Sequence, residues 1–200
     1  MTEKLEQGSG AWREARENRL TASNFAAAMG INPYQSRQKL YDLLTGTAEP
    51  FEGNEMTQWG TDHEPDAVFA YEAFTGEFVE QTGFWVHPDK DWLGASPDGL
   101  VLDNCLIECK CKFSQELWDC VPAHYMAQIQ GQLEITNREL CDFVSWTPTD
   151  LAVFRVTRST DYWEAQFPLL EQFWNEFNDR TKPKRRKKPV MPDVKVERLT

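Results

Sequence analysis

Between positions 100 and 112 the chain shows its clearest patterning: Leu100-Val101-Leu102 and Cys105-Leu106-Ile107 are apolar runs separated by the polar pair Asp103-Asn104. Two such runs joined by residues that tolerate left-handed backbone predict a tight β-hairpin. Side chains alternate along a strand, so Glu108, Lys110 and Lys112 face one way while Ile107, Cys109 and Cys111 face the other. Elsewhere the spacing of apolar positions predicts helices over 12–29, 38–44 and 66–74, and strands over 78–81 and 83–86. Further helices are expected near 114–120 and over 123–135, then strands over 141–146 and 152–156, and a last helix over 161–178. Trp163, Phe167, Leu170, Trp174 and Phe177 recur on that helix at three- and four-residue steps and form one apolar stripe, which fits core packing or a subunit contact. Helices and strands in this order give an α/β class, a mixed, curved β-sheet flanked by α-helices.

Composition leaves that picture as a single enzyme-sized domain over 1–181. Its 200 residues are 40% hydrophobic and 12% aromatic, enough for a sizeable core. No apolar run approaches the roughly 20 residues needed to span a bilayer, and 1–10 is polar without a signal-peptide core, so a soluble cytoplasmic protein is expected. The five cysteines, Cys105, Cys109, Cys111, Cys120 and Cys141, are odd in number and include no C-x-x-C pair, which favours reduced thiols over a zinc or iron–sulfur site. His63, His87 and His124 show no paired spacing.

Charge complicates the picture. The formal net charge is −11, which at first argues against a partner made of phosphates. Yet Lys182-Pro183-Lys184-Arg185-Arg186-Lys187-Lys188 holds six basic residues in seven, leaving 1–181 with 13 basic against 30 acidic residues, net −17. Residues 182–200 read first as a flexible, solvated tail bounded by prolines, and otherwise as a basic arm for duplex DNA or an acidic partner.

The hairpin carries the candidate chemistry. Ser96-Pro97-Asp98-Gly99 precedes it and Glu108-Cys109-Lys110 follows its turn, so Asp98 lies at the open end, level with Glu108 to Lys110. Taken singly, Pro-Asp-Gly is a turn signature and Glu-x-Lys is a common solvated strand face. Together they set two hard oxygen donors and an ammonium group at one place, a set suited to Mg²⁺ or Mn²⁺ and to phosphodiester cleavage. Lys110 could orient or deprotonate an attacking water, or stabilise charge on phosphorus.

These residues resemble the PD-(D/E)-x-K nuclease core, and the flanking segments resemble its lambda exonuclease-like branch, the YqaJ-type viral recombinases. The matching segments are 12–23 with Arg16 and Thr21-Ala22-Ser23, Trp59-Gly60 with Glu64, the core itself, and Tyr125-Met126-Ala127-Gln128-Ile129-Gln130, all in the family's order. The resemblance implies a restriction-endonuclease-like fold with Asp98, Glu108 and the backbone carbonyl of Cys109 as ligands to one or two Mg²⁺ (or Mn²⁺) ions, and Lys110 as catalytic lysine. Glu64 would serve the second metal or act through a water, and Gln128 would lie beside the site. Arg16, Ser23 and Ser96, joined by Arg37, would cradle a terminal 5′ phosphate.

Local chemistry offers plainer readings of several of these. Arg16 sits in a charged helix where an ion pair four residues away would account for it. Thr21 or Ser23 would cap a helix, although helix N-terminal amides also attract phosphate. Pro65 directly after Glu64 predicts that the third helix starts or kinks there. Gln128 and Gln130 are about 200° apart around a helix, so only one of them faces the metals.

The expected activity is a Mg²⁺-dependent 5′-to-3′ exonuclease that degrades one strand of linear double-stranded DNA and leaves 3′ overhangs for single-strand annealing. Implied partners are DNA ends, two further copies in a homotrimer, and an annealing protein, in a bacterial or prophage setting. The competing readings are an endonuclease of the same core and a noncatalytic DNA-binding recombination protein.

Overall fold

The computed structural model describes residues 5, 7–49, 53–114 and 116–200; part of the polar 1–10 segment lies outside them. Six strands form the main sheet in the order β2 (Val79–Glu80), β5 (Gly99–Val101), β6 (Cys105–Cys111), β7 (Leu140–Trp146), β8 (Leu151–Thr157) and β9 (Val196–Arg198). β6 and β7 run parallel and the other neighbours antiparallel. A parallel pair needs a crossover, and α5 (Ala123–Thr136) supplies it. A small second sheet holds β1 (Leu20–Thr21), β4 (Leu93–Ala95) and β3 (Trp85–Val86).

Strand alternation sorts the core onto the two faces of the sheet. Ile107, Cys109, Val144 and Val153 pack with Ala67 and Tyr71 of α4 (Glu55–Thr75). Leu106, Phe143 and Phe154 pack with Ile129 and Leu133 of α5. A third cluster joins α2 (Ala22–Met29) to α6 (Thr160–Asn178) through Phe25, Met29, Leu170 and Phe173. Under α4, the fully buried Asp142 is held by Arg155, Nε to Oδ1 at 2.8 Å and Nη2 to Oδ2 at 2.8 Å, and by Tyr71 Oη at 2.7 Å. A buried carboxylate is stable only with such partners.

Four sequence expectations need correction. α4 begins at Glu55, well before Glu64, because Asn54 and Thr57 close a reciprocal capping box; Pro65 is an interior residue of a 21-residue helix. Residues 114 and 116–120 form no helix: Leu117 and Trp118 pack in irregular backbone on the Phe143 cluster, and Trp118 N donates to Ser145 Oγ at 3.1 Å. The hairpin turn spans three residues, with Leu102 rather than Asp103 or Asn104 in the left-handed region at φ 49°. Finally, 182–200 lies along the fold rather than free of it, since Met191 and Val194 pack into the core and β9 pairs with β8.

Candidate active site

The β5–β6 ladder pairs Gly99 with Ile107, so one further step places Asp98 opposite Glu108. Asp98 is fixed there from both sides. Its N–H donates to Ile107 O at 3.2 Å, and its Oδ2 accepts from Cys109 N at 2.7 Å. Leu106, Glu108 and Lys110 share the face of β6 that looks toward α5, whereas Cys109 is buried on the α4 face. One cleft of about 220 Å³ is lined by Glu64, Asp98, Glu108, Lys110 and Gln128 together with Arg16, Ser23 and Ser96.

Glu108 is 1% exposed, and three side chains hold its carboxylate. Lys110 Nζ forms a close ion pair with Oε1. Gln128 Nε2 donates to Oε1 at 2.6 Å, and Gln132 Nε2 donates to Oε2 at 2.6 Å. Four residues apart on α5, the two amides stand on one helical face. Gln130 points elsewhere, donating to Thr157 O at 3.0 Å and accepting from Ser159 N at 2.8 Å. Lys110 Nζ also stands 5.2 Å from the centre of the Tyr125 ring.

Glu108 raises the proton affinity of its acidic neighbours Asp98 and Glu64. Burial, then the charge of Glu108, hold Asp98 well above the ordinary aspartate range, with Lys110 opposing and Glu64 adding. Burial likewise raises Glu64, with Lys110 opposing and Glu108 reinforcing. Burial alone would lower Lys110, but Glu108 and Asp98 outweigh it and hold the ammonium charged above the usual lysine range.

Toward the rim, the Arg16 guanidinium lies 4.2 Å above the Trp12 ring and approaches Thr21 Oγ1 at 3.4 Å and Ser23 Oγ at 3.5 Å. Trp12 Nε1 donates to Ser96 Oγ at 2.9 Å, tying the first helix, α1 (Gly10–Arg16), to the loop before Asp98. Burial pulls Arg16 down to about 10. No acidic side chain pairs with it among the described residues, so the pocket offers a half-buried cation, two hydroxyls and the start of α2 to an anion. Arg37 is not part of this pocket. It is buried on α3 (Arg37–Leu44), with Nε on Ala28 O at 2.8 Å, Nη1 on Lys184 O at 2.9 Å and Nη2 on Glu176 Oε2 at 2.6 Å. These bonds engage every guanidinium nitrogen, which removes Arg37 from the phosphate set.

The donor chemistry fits a hard divalent cation. Three carboxylates line the cleft, and the charge of Glu108 disfavours the charged forms of Asp98 and Glu64, which a cation among them would relieve. Among the described residues no three His, Cys, Asp or Glu side chains already converge as a ligand group. Mg²⁺ does not require one, since it binds through one or two carboxylates and keeps several waters.

Gln132 is the residue that sequence reading missed. It is fully buried, its Nε2 holds Glu108, and its Oε1 has no hydrogen-bond partner. The available signal was its position one helical turn beyond Gln128.

Against known proteins, the profile of the YqaJ-like viral recombinase domain matches residues 11–139. The crystal structure of an alkaline exonuclease from Laribacter hongkongensis superposes with a TM-score of 0.75 at 32% identity, covering 86% of this chain and 94% of that one. An uncharacterized protein of Acanthamoeba polyphaga mimivirus is 27% identical over 70% of this chain, and a protein of African swine fever virus is 28% identical over 66%. The chain spans 29% and 46% of those two relatives' lengths.

Proposed function

The chain belongs to the YqaJ-like viral recombinase family, the lambda exonuclease-like branch of the PD-(D/E)-x-K nucleases, and on that premise we propose that it is a Mg²⁺-dependent 5′-to-3′ exonuclease on linear double-stranded DNA. The observation that carries the reading is the meeting of Asp98, Glu108, Glu64 and Lys110 in the same cleft as Arg16, Ser23 and Ser96. One end of the cleft is built for a cation and the other for an anion.

Asp98, Glu108 and the Cys109 carbonyl would hold the metal, with Glu64 serving a second ion or a water. When bound, such an ion activates water and stabilises charge on the phosphate oxygens. The chain's own residues do the rest. Lys110 orients the attacking water and meets the charge that develops on phosphorus. Gln128 and Gln132 fix the Glu108 carboxylate so that its oxygens need not reorganise during the reaction. Arg16, Ser23 and Ser96 bind the terminal 5′ phosphate, which sets the register of the next bond and gives direction.

Product strands with 3′ overhangs would suit single-strand annealing, so an annealing protein is the proposed partner, and the proposed assembly is a homotrimer around the duplex. Residues 1–181 carry the nuclease site in this reading, with 182–200 packed along them. Linear and covalently closed circular duplex, each with Mg²⁺ or with chelator, test it. Loss of the linear form alone, and only with metal, is expected. Cutting of the closed circle would instead identify an endonuclease, and no cutting at all a noncatalytic protein.

A further inference from the structure

The segment with six basic residues in seven is pinned by its backbone while most of its charges point outward. Arg37 Nη1 donates to Lys184 O at 2.9 Å, Arg186 Nη1 donates to Gln172 Oε1 at 3.3 Å, and Pro183 is buried. Gly30 belongs to the same fit: its φ is +79°, and a Cβ there would stand 3.3 Å from Arg186 Cγ and 3.4 Å from Arg37 Cδ. Downstream, β9 anchors the chain on β8, so the stretch is held at both ends.

Lys184, Arg185, Lys187 and Lys188 are all exposed, and among the described residues none has an acidic group within 4.0 Å. Close cations repel one another, and residues 1–181 contain 30 acids that could have paired with them. The fold instead leaves four positive charges unpaired on an anchored segment. That surface complements a polyanion.

Its position relative to the cleft narrows the choice. Thr21, Ala22 and Ser23 at the start of α2 line the cleft, while Ala28 and Gly30 at its end seat Arg37 and Arg186. Eight residues at about 1.5 Å each separate the two ends by about 12 Å, or roughly three to four base-pair rises of B-DNA.

We propose that Lys184, Arg185, Lys187 and Lys188 form a second contact with duplex DNA, gripping its sugar-phosphate backbone a few base pairs from the cleft. The proposal rests on reading the cleft as a DNA nuclease site. The contact is indifferent to sequence, as an exonuclease requires, and it counters the repulsion between DNA and a body of net charge −17.

The test is the salt dependence of binding, measured by fluorescence anisotropy of the full chain on a labelled duplex of about 30 base pairs in EDTA, between roughly 50 and 200 mM KCl. Substituting Lys184→Gln, Arg185→Gln, Lys187→Gln and Lys188→Gln together should lower the slope of log affinity against log salt by about 3 to 4, since each lost phosphate contact removes about 0.9. A charge-keeping variant, Lys184→Arg, Arg185→Lys, Lys187→Arg and Lys188→Arg, should keep the wild-type slope. An unchanged slope in the glutamine variant overturns the proposal, as does an equal loss in the charge-keeping one. Cleavage of linear duplex by the wild-type chain is read separately. If the wild type cleaves and the glutamine slope is unchanged, the second contact falls and the nuclease reading stands. A slope lost with charge, in a wild type that never cleaves, supports the contact and removes the nuclease reading.

Discussion

Asp98 works against the stability of the fold that holds it. Burial and the neighbouring Glu108 make its folded state bind a proton more tightly than the unfolded chain does. Its contribution is therefore favourable below the ordinary aspartate pKa and is lost as pH rises through the raised folded value. Asparagine can still accept from Cys109 N–H without the charge. Asp98→Asn should accordingly abolish cleavage while raising Tm by about 2–4 °C at neutral pH in EDTA, the equivalent of about 1 kcal/mol. Melting curves on both proteins should show the gap closing toward acid pH; a lower Tm for the variant would contradict the account. Gln132 tests the other carboxylate. Gln132→Leu leaves Glu108 Oε2 buried without that donor, at a cost of about 1–3 kcal/mol. A fall in Tm, with turnover reduced and more Mg²⁺ needed for half-maximal rate, is expected, and a variant with wild-type kinetics would remove Gln132 from the site.

At the scale of elements, α2 and α5 carry the two ends of the cleft and pack tightly where Gly131 meets Phe25. A Cβ on Gly131 would stand 2.4 Å from Phe25 Cε2 and 2.6 Å from Cδ2. Gly131→Ala should cost about 1–3 kcal/mol through overpacking and should also slow cleavage, because the helices that carry Ser23 and Gln128 are pushed apart. A lower Tm with unchanged cleavage would show that their spacing is immaterial.

The elements also show where sequence reading works. The β5–β6 hairpin and the β7–β8 pair were legible because β6, β7 and β8 are seven-residue, largely apolar runs bounded by polar turn residues. The opposition of Asp98 and Glu108 depends on the three-residue turn, since the expected two-residue turn at Asp103-Asn104 would set Asp98 against Cys109. Strands of two or three residues such as β1 and β4 carry too few positions to show a period, and β9, with all three residues exposed, shows none. The first turns of α4 are mostly exposed and polar, so their signal was the cap at Asn54 rather than an apolar stripe, and Pro65 masked their continuity. Arg37 illustrates the limit for the site. Its residue type suits phosphate, but Glu176 and the Lys184 carbonyl, both distant in sequence, occupy it.

Considered whole, the molecule is an acidic body with six basic residues grouped along 182–188 and with Arg16 and Lys110 in the cleft. Among the described residues no helix is long and apolar enough to cross a membrane. If the Arg16 pocket grips a DNA end, a linear duplex carrying 5′ hydroxyls should be degraded more slowly than one carrying 5′ phosphates. Arg16→Gln should erase that preference, and equal rates on both ends by the wild-type chain would discard the pocket. The most direct measurement follows each strand of one linear duplex, labelled separately at its 5′ and 3′ ends, with Mg²⁺ and with chelator. Early loss of the 5′ label as mononucleotide, a persisting 3′ label, and no reaction without metal are expected. Early release of the 3′ label, or degradation that continues in chelator, would contradict the proposed activity.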